Sequence, residues 1–516
     1  MIINELERLL SLEDRDVGSP TYGCFDRSYW GWKFKDMPDS VMQNGVYALS
    51  LAWKNKFANN EFYRNENVLE WIRAGIGYWI KIQKKDGSFD QIYPYERSWA
   101  ATGFELFYML ETYRLIGKKV IEPFAESFFE AVDRATEFLI ESDELHGDVS
   151  NHVCAGVAGL YGVYKERGDR KALVKCKQLL AKLNWDREEG WLMEYEGTDP
   201  GYQSLAIYYL AKYFEDSRDK KIEKDLERLM DFVEYFFQPD GSFGGEYGSR
   251  NTEVFYPGGF YLMGRKVAFS NQLKLVDDNN LIPLLINYLE AELTNGGRRS
   301  KAVWEKREFN KLFEKAGLYI INKKAYYSVV SVKKNGLIKV FDKRKKILIY
   351  DDHGYLGASG KGEMSTQFIN QKARFELEGN RIEIEGEFAK VGLMVQTPGL
   401  IWLLRGFNVS LGRLAFLNEL MKKLLVKVLV NNKARAGLMI VRTIKFGEKN
   451  VMVKDMIKKT NEGQVLWLRR DRHRTIHMGS SRYFEKHQLH EAKGESVDVG
   501  QLNNDGQLKL SWKAGL

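Results

Sequence analysis

The sequence predicts a multidomain chain of α and β type. Residues 1–300 are expected to form an N-terminal α/α toroid of helical hairpins, 301–323 a linker with a short helix, and 324–516 an antiparallel β-sandwich domain. Two observations predict this. Helix starts recur at Asp39, Ser98, Ser150, Asp199 and Asn251, with steps of 59, 52, 49 and 52 residues and a second helical run between them. From Lys324 the apolar pattern changes to short β-type runs divided by turns. A chain of 516 residues also exceeds one ordinary core.

Residues 1–36 are irregular and aromatic. Trp30 offers a flat apolar face on which a sugar ring can stack, with Trp32 beside it. The helical units follow, with first helices such as Val41–Trp53, Ala100–Leu115, Val153–Lys165 and Ser204–Phe214. Their partners run over Val68–Lys84, Phe128–Glu141, Lys171–Leu183 and Ile222–Phe237. Related loops precede several starts, including Gln83 to Phe89 and Gln238 to Phe243, each with an Asp-Gly turn that suits glycine backbone angles. After about residue 270 the rhythm stops. Asn295–Lys301 reads as a loop, followed by a short helical stretch to about Gly317.

Strand-like runs then cover Ala325–Val332, Gly336–Phe341, Ile347–Tyr350, Arg374–Leu377, Arg381–Ile384, Phe388–Gln396, Ala436–Thr443, Val451–Asp455 and Leu508–Trp512. Residues 412–430 interrupt them as a basic amphipathic helix, expected to lie on the sheet or, less readily, to touch a membrane surface. Arg469–Arg474 is a charge run that reads as a solvated face or an attractor of acidic glycans.

Composition bounds the partners. The formal charge of +8 mildly favours an acidic ligand, and over this length it is no nucleic-acid footprint. Cys24, Cys154 and Cys176 show no paired spacing, so neither a disulfide framework nor a zinc site is expected. No apolar run long enough to span a bilayer and no signal peptide are seen, which makes cytoplasmic the expected location. No metal or cofactor is called for.

Function is read from the helix starts. Ser150 reads as an N-cap that places Asn151 and His152 in a first turn, while Asp199 and Pro200 place Tyr202 in another. Unpaired N–H groups at such turns favour anions. An amide, an imidazole and a phenol there can hold a carboxylate and move a proton. In a toroid the first helices run in parallel, so their starts share one mouth. Tyr93, Tyr95, Glu96 and Arg97 precede one start, and Glu246, Tyr247, Arg250 and Glu253 surround another. These are the expected substrate contacts, with Trp30. His353, in a loop after a strand, is the expected contribution from the β-domain.

A toroid followed by an antiparallel β-domain, with Asn151 and His152 on one inner helix and Tyr202 on the next, resembles the heparinase II/III and alginate-lyase superfamily of polysaccharide lyases. The resemblance implies that Asn151 and His152 neutralise a uronate carboxylate. Tyr202, with a sheet-domain histidine, would then be base and acid of a β-elimination on an acidic oligosaccharide or polysaccharide. A uronate C5-epimerase, a glycoside hydrolase using Glu96, Glu246 or Glu253, and a non-catalytic glycan-binding protein remain alternatives. The stretch Gln83 to Phe89 is also similar to QW-type turns of terpenoid cyclases, but their Asp-rich acid motif is not evident.

Overall fold

The computed structural model describes every residue except 1, 146, 295–296, 300, 392–395, 430–433, 471–488, 490–493 and 516. Its helices open with α1 (Ile2–Leu12), α2 (Arg27–Trp30), α3 (Gly45–Lys54), α4 (Glu66–Ile82), α5 (Trp99–Ile116), α6 (Lys118–Ile121) and α7 (Ala125–Glu141). They continue with α8 (Ser150–Arg167), α9 (Arg170–Lys182), α10 (Pro200–Ser217), α11 (Lys220–Glu234), α12 (Gly258–Leu262) and α13 (Asp278–Leu293). Polar side chains start many of them. Asn65, Ser98, Asp169, Asp199, Asp219 and Asp277 each accept a backbone N–H of the first turn.

The packing order closes on itself. Helix α3 packs on α5, α5 on α8, α8 on α10, α10 on α12, α12 on α13, and α13 back on α3. Helices α4, α7, α9 and α11 pack outside α3, α5, α8 and α10 respectively. The inner helices are apolar almost all round, as α5 and α10 show, whereas α11 buries one face only.

Three glutamines repeat one clasp. Gln43 donates to Gly23 O and Gly75 O, Gln83 to Gly87 O and Ala131 O, and Gln203 to Gly190 O and Leu229 O. Each ties a loop glycine to an outer helix. Gly87 and Gly190 take positive φ, and a Cβ there would lie 2.0 Å from Arg134 O and 2.4 Å from Arg228 O.

Four expectations change here. Ser150 is the first helical residue rather than the cap; Val149 holds the cap position, and the Ser150 hydroxyl donates to Glu194 instead. Asn251 starts no helix, since its φ is +59° and α12 begins at Gly258. The helical rhythm does not stop near 270, because α13 closes the ring. No helix runs to Gly317 either: beyond a short 3-10 turn at Val303–Glu305 the chain enters strand β5 (Phe309–Phe313).

Two short strand pairings precede that strand: β1 (Trp185–Asp186) with β2 (Trp191–Leu192), and β3 (Arg265–Lys266) with β4 (Arg298–Arg299), the latter inside the stretch read as a loop. Isolated bridges also join Phe89 with Ser98, Glu194 with both Val149 and Gly197, and Phe237 with Phe243. Strands β5, β6 (Leu318–Asn322), β7 (Tyr326–Ser331), β8 (Leu337–Asp342) and β9 (Ile347–Asp352) form an antiparallel sheet in chain order. The second sheet uses β10 (Tyr355–Ser359), β11 (Gly362–Ser365), β12 (Arg374–Glu378), β13 (Arg381–Lys390), β14 (Arg435–Phe446), β15 (Asn450–Lys459), β16 (Val465–Arg470), β17 (Glu495–Val497) and β18 (Gln507–Gly515). Its order is β17-β16-β10-β11-β13-β14-β15-β18, with β12 beside β13.

The first sheet is the middle layer. Leu318, Ile320, Tyr327 and Val329 face the toroid core, while Tyr319, Ile321, Ile338 and Val340 face Ile382, Ile384, Ile444 and Val453 of the second sheet. Burial on both faces explains why β6, β7 and β8 are buried at every position. Buried Arg442 pins the two sheets: it donates to both oxygens of Asp455 and to Gly336 O, and pairs with Asp352 at 3.2 Å.

Between β13 and β14 lie α14 (Pro398–Val409) and α15 (Ala415–Leu429). Helix α15 is the amphipathic segment expected at 412–430. It does not lie on the sheet: its Asn418 bonds Tyr95 O and its Lys422 bonds Arg97 O, at the edge of the toroid. Residue 430, part of the Phe388–Gln396 run and residues 471–474 of the charge run fall outside the described residues. Among the described residues no helix is long and apolar enough to cross a membrane.

Candidate active site

The site forms where α8 and α10 begin, because the loop between them turns an acid back onto both. Glu194 follows β2 and bridges Val149 and Gly197 through its backbone. Its carboxylate is 1% exposed. Asn151 Nδ2 donates to both of its oxygens at 3.2 Å, and the Ser150 hydroxyl donates at 3.3 Å. Arg250 Nη1 pairs with it at 2.8 Å. Burial raises the Glu194 pKa, and the Arg250 charge opposes that rise.

Arg250 is fixed from behind. Its backbone N–H and that of Thr252 donate to Asp199 Oδ2, while Asp199 Oδ1 caps α10 through Tyr202 N. One aspartate therefore sets the positions of both Tyr202 and Arg250. The guanidinium stands 3.9 Å from the centre of the Tyr202 ring and 5.0 Å from that of Tyr195. Burial works against the Arg250 charge, but Tyr202, Glu194 and Tyr195 more than offset it and raise its pKa.

His152 and Tyr202 are partly exposed, whereas Asn151, Glu194 and Arg250 are buried. His152 Nδ1 lies 2.9 Å from Glu144 Oε2, and its ring meets Phe104 edge-on. The carboxylate orients the imidazole. Thus two groups that can reach a ligand stand in front of a buried acid–arginine pair.

The other expected site residues are distributed as follows. Glu96 is buried and its carboxylate accepts from the Gln91 and Ile92 amides, so it braces its own loop. Asp90 accepts from Tyr95 N and Arg97 N, both of which take positive φ. The Arg97 side chain pairs with Asp86 at 2.6 Å. A cleft between this loop and α15 is lined by Glu96, Arg97, Trp99, Glu144, Asn418 and Lys422. Burial lowers the Lys422 pKa, against the pull of Glu96 and Glu144. Glu144 so joins this cleft to His152.

Glu246 pairs with Lys339 at 2.5 Å and lies 3.7 Å from His353 Nε2, which itself meets Asp351 at 2.6 Å. His353 is 1% exposed and reaches the helical domain through Glu246, on the same loop as Arg250. Tyr247 is a core residue; its hydroxyl accepts from Gln238 and its ring packs on Phe236. Glu253 accepts Gln272 through its backbone carbonyl. Trp30 spends its indole N–H on Leu12 O at the end of α1, and its ring faces Arg27. Sequence reasoning missed Glu194, Glu144 and Tyr195. The signal for Glu194 was its place between a strand-like Trp-Leu pair and the α10 cap; a lone acid in a loop carries no other.

Among the described residues no group of three or more His, Cys, Asp or Glu side chains is placed to hold a metal ion. Cys24, Cys154 and Cys176 are buried free thiols.

A helical ring followed by stacked antiparallel sheets is the architecture that the sequence resemblance implied. Comparison with known proteins agrees. Residues 62–280 match the family model of the ulvan lyase N-terminal domain. In fold the chain is similar to Streptomyces coelicolor A3 chondroitin AC lyase in complex with chondroitin sulphate. That match has 9% identity and a TM-score of 0.54, over 91% of this chain and 67% of the other. Heparan sulfate lyase HepC from Pedobacter heparinus aligns at 11% identity and a TM-score of 0.40, over 89% of this chain and 68% of the other. The chain spans about two thirds of the length of these lyases. No curated protein sequence matches it.

Proposed function

We propose that this protein cleaves uronate-containing glycans by β-elimination, with Tyr202 moving the proton. The observation that carries the reading is the stacking of Tyr202 against Arg250, whose charge is held in place by Glu194 and Asp199. In the reaction the C5–H and C4–O4 bonds break, C4=C5 forms, and O4 leaves with a proton. A buried guanidinium beside the phenol stabilises negative charge on its oxygen, which makes Tyr202 the group to take the C5 proton and return one to O4.

His152, held by Glu144, faces the uronate carboxylate and neutralises it as enolate-like charge develops. A pre-oriented donor of this kind is worth about 3–4 kcal/mol. Asn151 acts here as a positioning residue, since its amide is committed to Glu194. His353 supports the Arg250 loop through Glu246. Two of the three candidate acids of the hydrolase alternative are committed elsewhere: Glu96 binds loop amides and Glu246 binds a lysine.

The test is product analysis after incubation with chondroitin sulphate, heparan sulfate, ulvan and a neutral glucan. Elimination gives ultraviolet-absorbing unsaturated ends from the uronate polymers and nothing from the glucan. Reducing ends without absorbance would show hydrolysis, and deuterium uptake at C5 without cleavage would show epimerisation; either result overturns the reading.

A further inference from the structure

The α14–α15 connection turns two different sides to its surroundings. Its inner side meets the toroid through Asn418 and Lys422. Its outer side is apolar: Trp402 is 79% exposed, Leu403 68%, Phe416 67%, Leu420 64% and Leu411 55%. Of the 22 exposed large apolar side chains among the described residues, ten fall between Leu400 and Leu424, so this is one patch and not scatter. A second segment extends it. Arg405 pairs with Asp36 at 2.8 Å, which brings the stretch Trp32-Lys33-Phe34-Lys35 beside α14. There Trp32 is 73% and Phe34 95% exposed.

We propose that this face docks on an anionic lipid surface, lying in the interface without crossing it. The charge fits. Lys33, Arg413 and Lys423 are exposed around the patch, and Glu419 is the single acid between Pro398 and Leu424. Exposed aromatics with lysine and arginine at their borders suit the headgroup boundary, where indole and phenyl rings sit at the level of the lipid heads. Protein interfaces, by contrast, are depleted in lysine. A helix of 12 residues is about 18 Å long, well short of a hydrocarbon core of about 30 Å, so α14 can only lie in the surface. Because the inner side of α15 lines the cleft with Glu96 and Arg97, docking brings the mouth of the toroid next to the membrane.

The experiment is co-sedimentation of the full chain with phosphatidylcholine vesicles, with and without phosphatidylglycerol. The proposal expects sedimentation with the anionic vesicles, weaker binding to the neutral ones, and loss of binding as salt rises. Changing Trp402→Glu together with Leu403→Glu should lower the bound fraction at least tenfold at an unchanged melting temperature, since both side chains are exposed. No sedimentation with anionic vesicles overturns the proposal. So does a wild-type dimer in sedimentation velocity that the double variant abolishes while vesicle binding stays unchanged, because the occupant would then be a second copy of the chain.

Discussion

Asp199 does two jobs with one side chain: Oδ1 caps α10 at Tyr202, and Oδ2 receives Arg250. Tyr202 was legible from the helix start at Asp199; Arg250 was picked out beside an expected start at Asn251 that is a loop, and it reaches the site through that loop's bonds to Asp199. Glu194 was not, since a buried acid reveals itself only through the partners that folding brings to it. Its pairing predicts an asymmetry. Arg250→Ala leaves the Glu194 charge buried without its cation and should cost about 3–5 kcal/mol in denaturant unfolding. Glu194→Gln keeps the shape, removes the charge and should cost less than Arg250→Ala. A second expectation concerns Asp39, whose burial pushes its pKa up to about 7. The folded state then holds a proton that the unfolded state releases between about pH 4 and 7, so stability falls as pH rises through that window. Unfolding free energies of wild type and Asp39→Asn should diverge there, the wild type losing at most about 1.4 kcal/mol per pH unit relative to the variant. Parallel curves would contradict the shift.

The glutamine clasp explains why the helical hairpins could be read at all. The loop from Gln83 to Phe89 is recognisable because Gln83 must reach two carbonyls and Gly87 must pass close to Arg134 O. The same demand at Gln203 and Gly190 is met by a loop of different sequence, which links the two only after folding. Gln203→Ala takes the side-chain partner from Gly190 O and from the Leu192 N–H in the core and should cost about 1–3 kcal/mol in thermal or denaturant unfolding. An unchanged midpoint would remove the clasp from the account. Elements without such a mark were misread. The short run Phe309–Phe313 alternates too briefly to betray a strand, and α13 carries Pro283 in its interior, which disguised it. Strands β10, β11, β16 and β17 went unrecognised because each is short; β10 and β11 form a tight hairpin, and β16 reaches β10 only across a long stretch of chain.

The whole molecule is three layers, with the first sheet buried between the toroid and the second sheet. That burial accounts for runs such as Tyr326–Ser331, which are apolar on both faces because both faces are covered; the sheet itself begins earlier, at Phe309, inside the 301–323 stretch expected as a linker. It also couples the layers to the mouth. Lys334, at the turn before β8, donates to Glu246 O and Asn251 Oδ1 on the loop that carries Arg250. On the reading proposed above, this loop, through Arg250, makes Tyr202 the proton-moving group of an elimination. The most direct measurement is the initial rate of ultraviolet absorbance on a uronate polymer for wild type, Tyr202→Phe and Tyr195→Phe, each checked for folding by its melting temperature. The rate for Tyr202→Phe should fall roughly 10²-fold or more, with Tyr195→Phe much less affected. A Tyr202→Phe variant that turns over at the wild-type rate would contradict it.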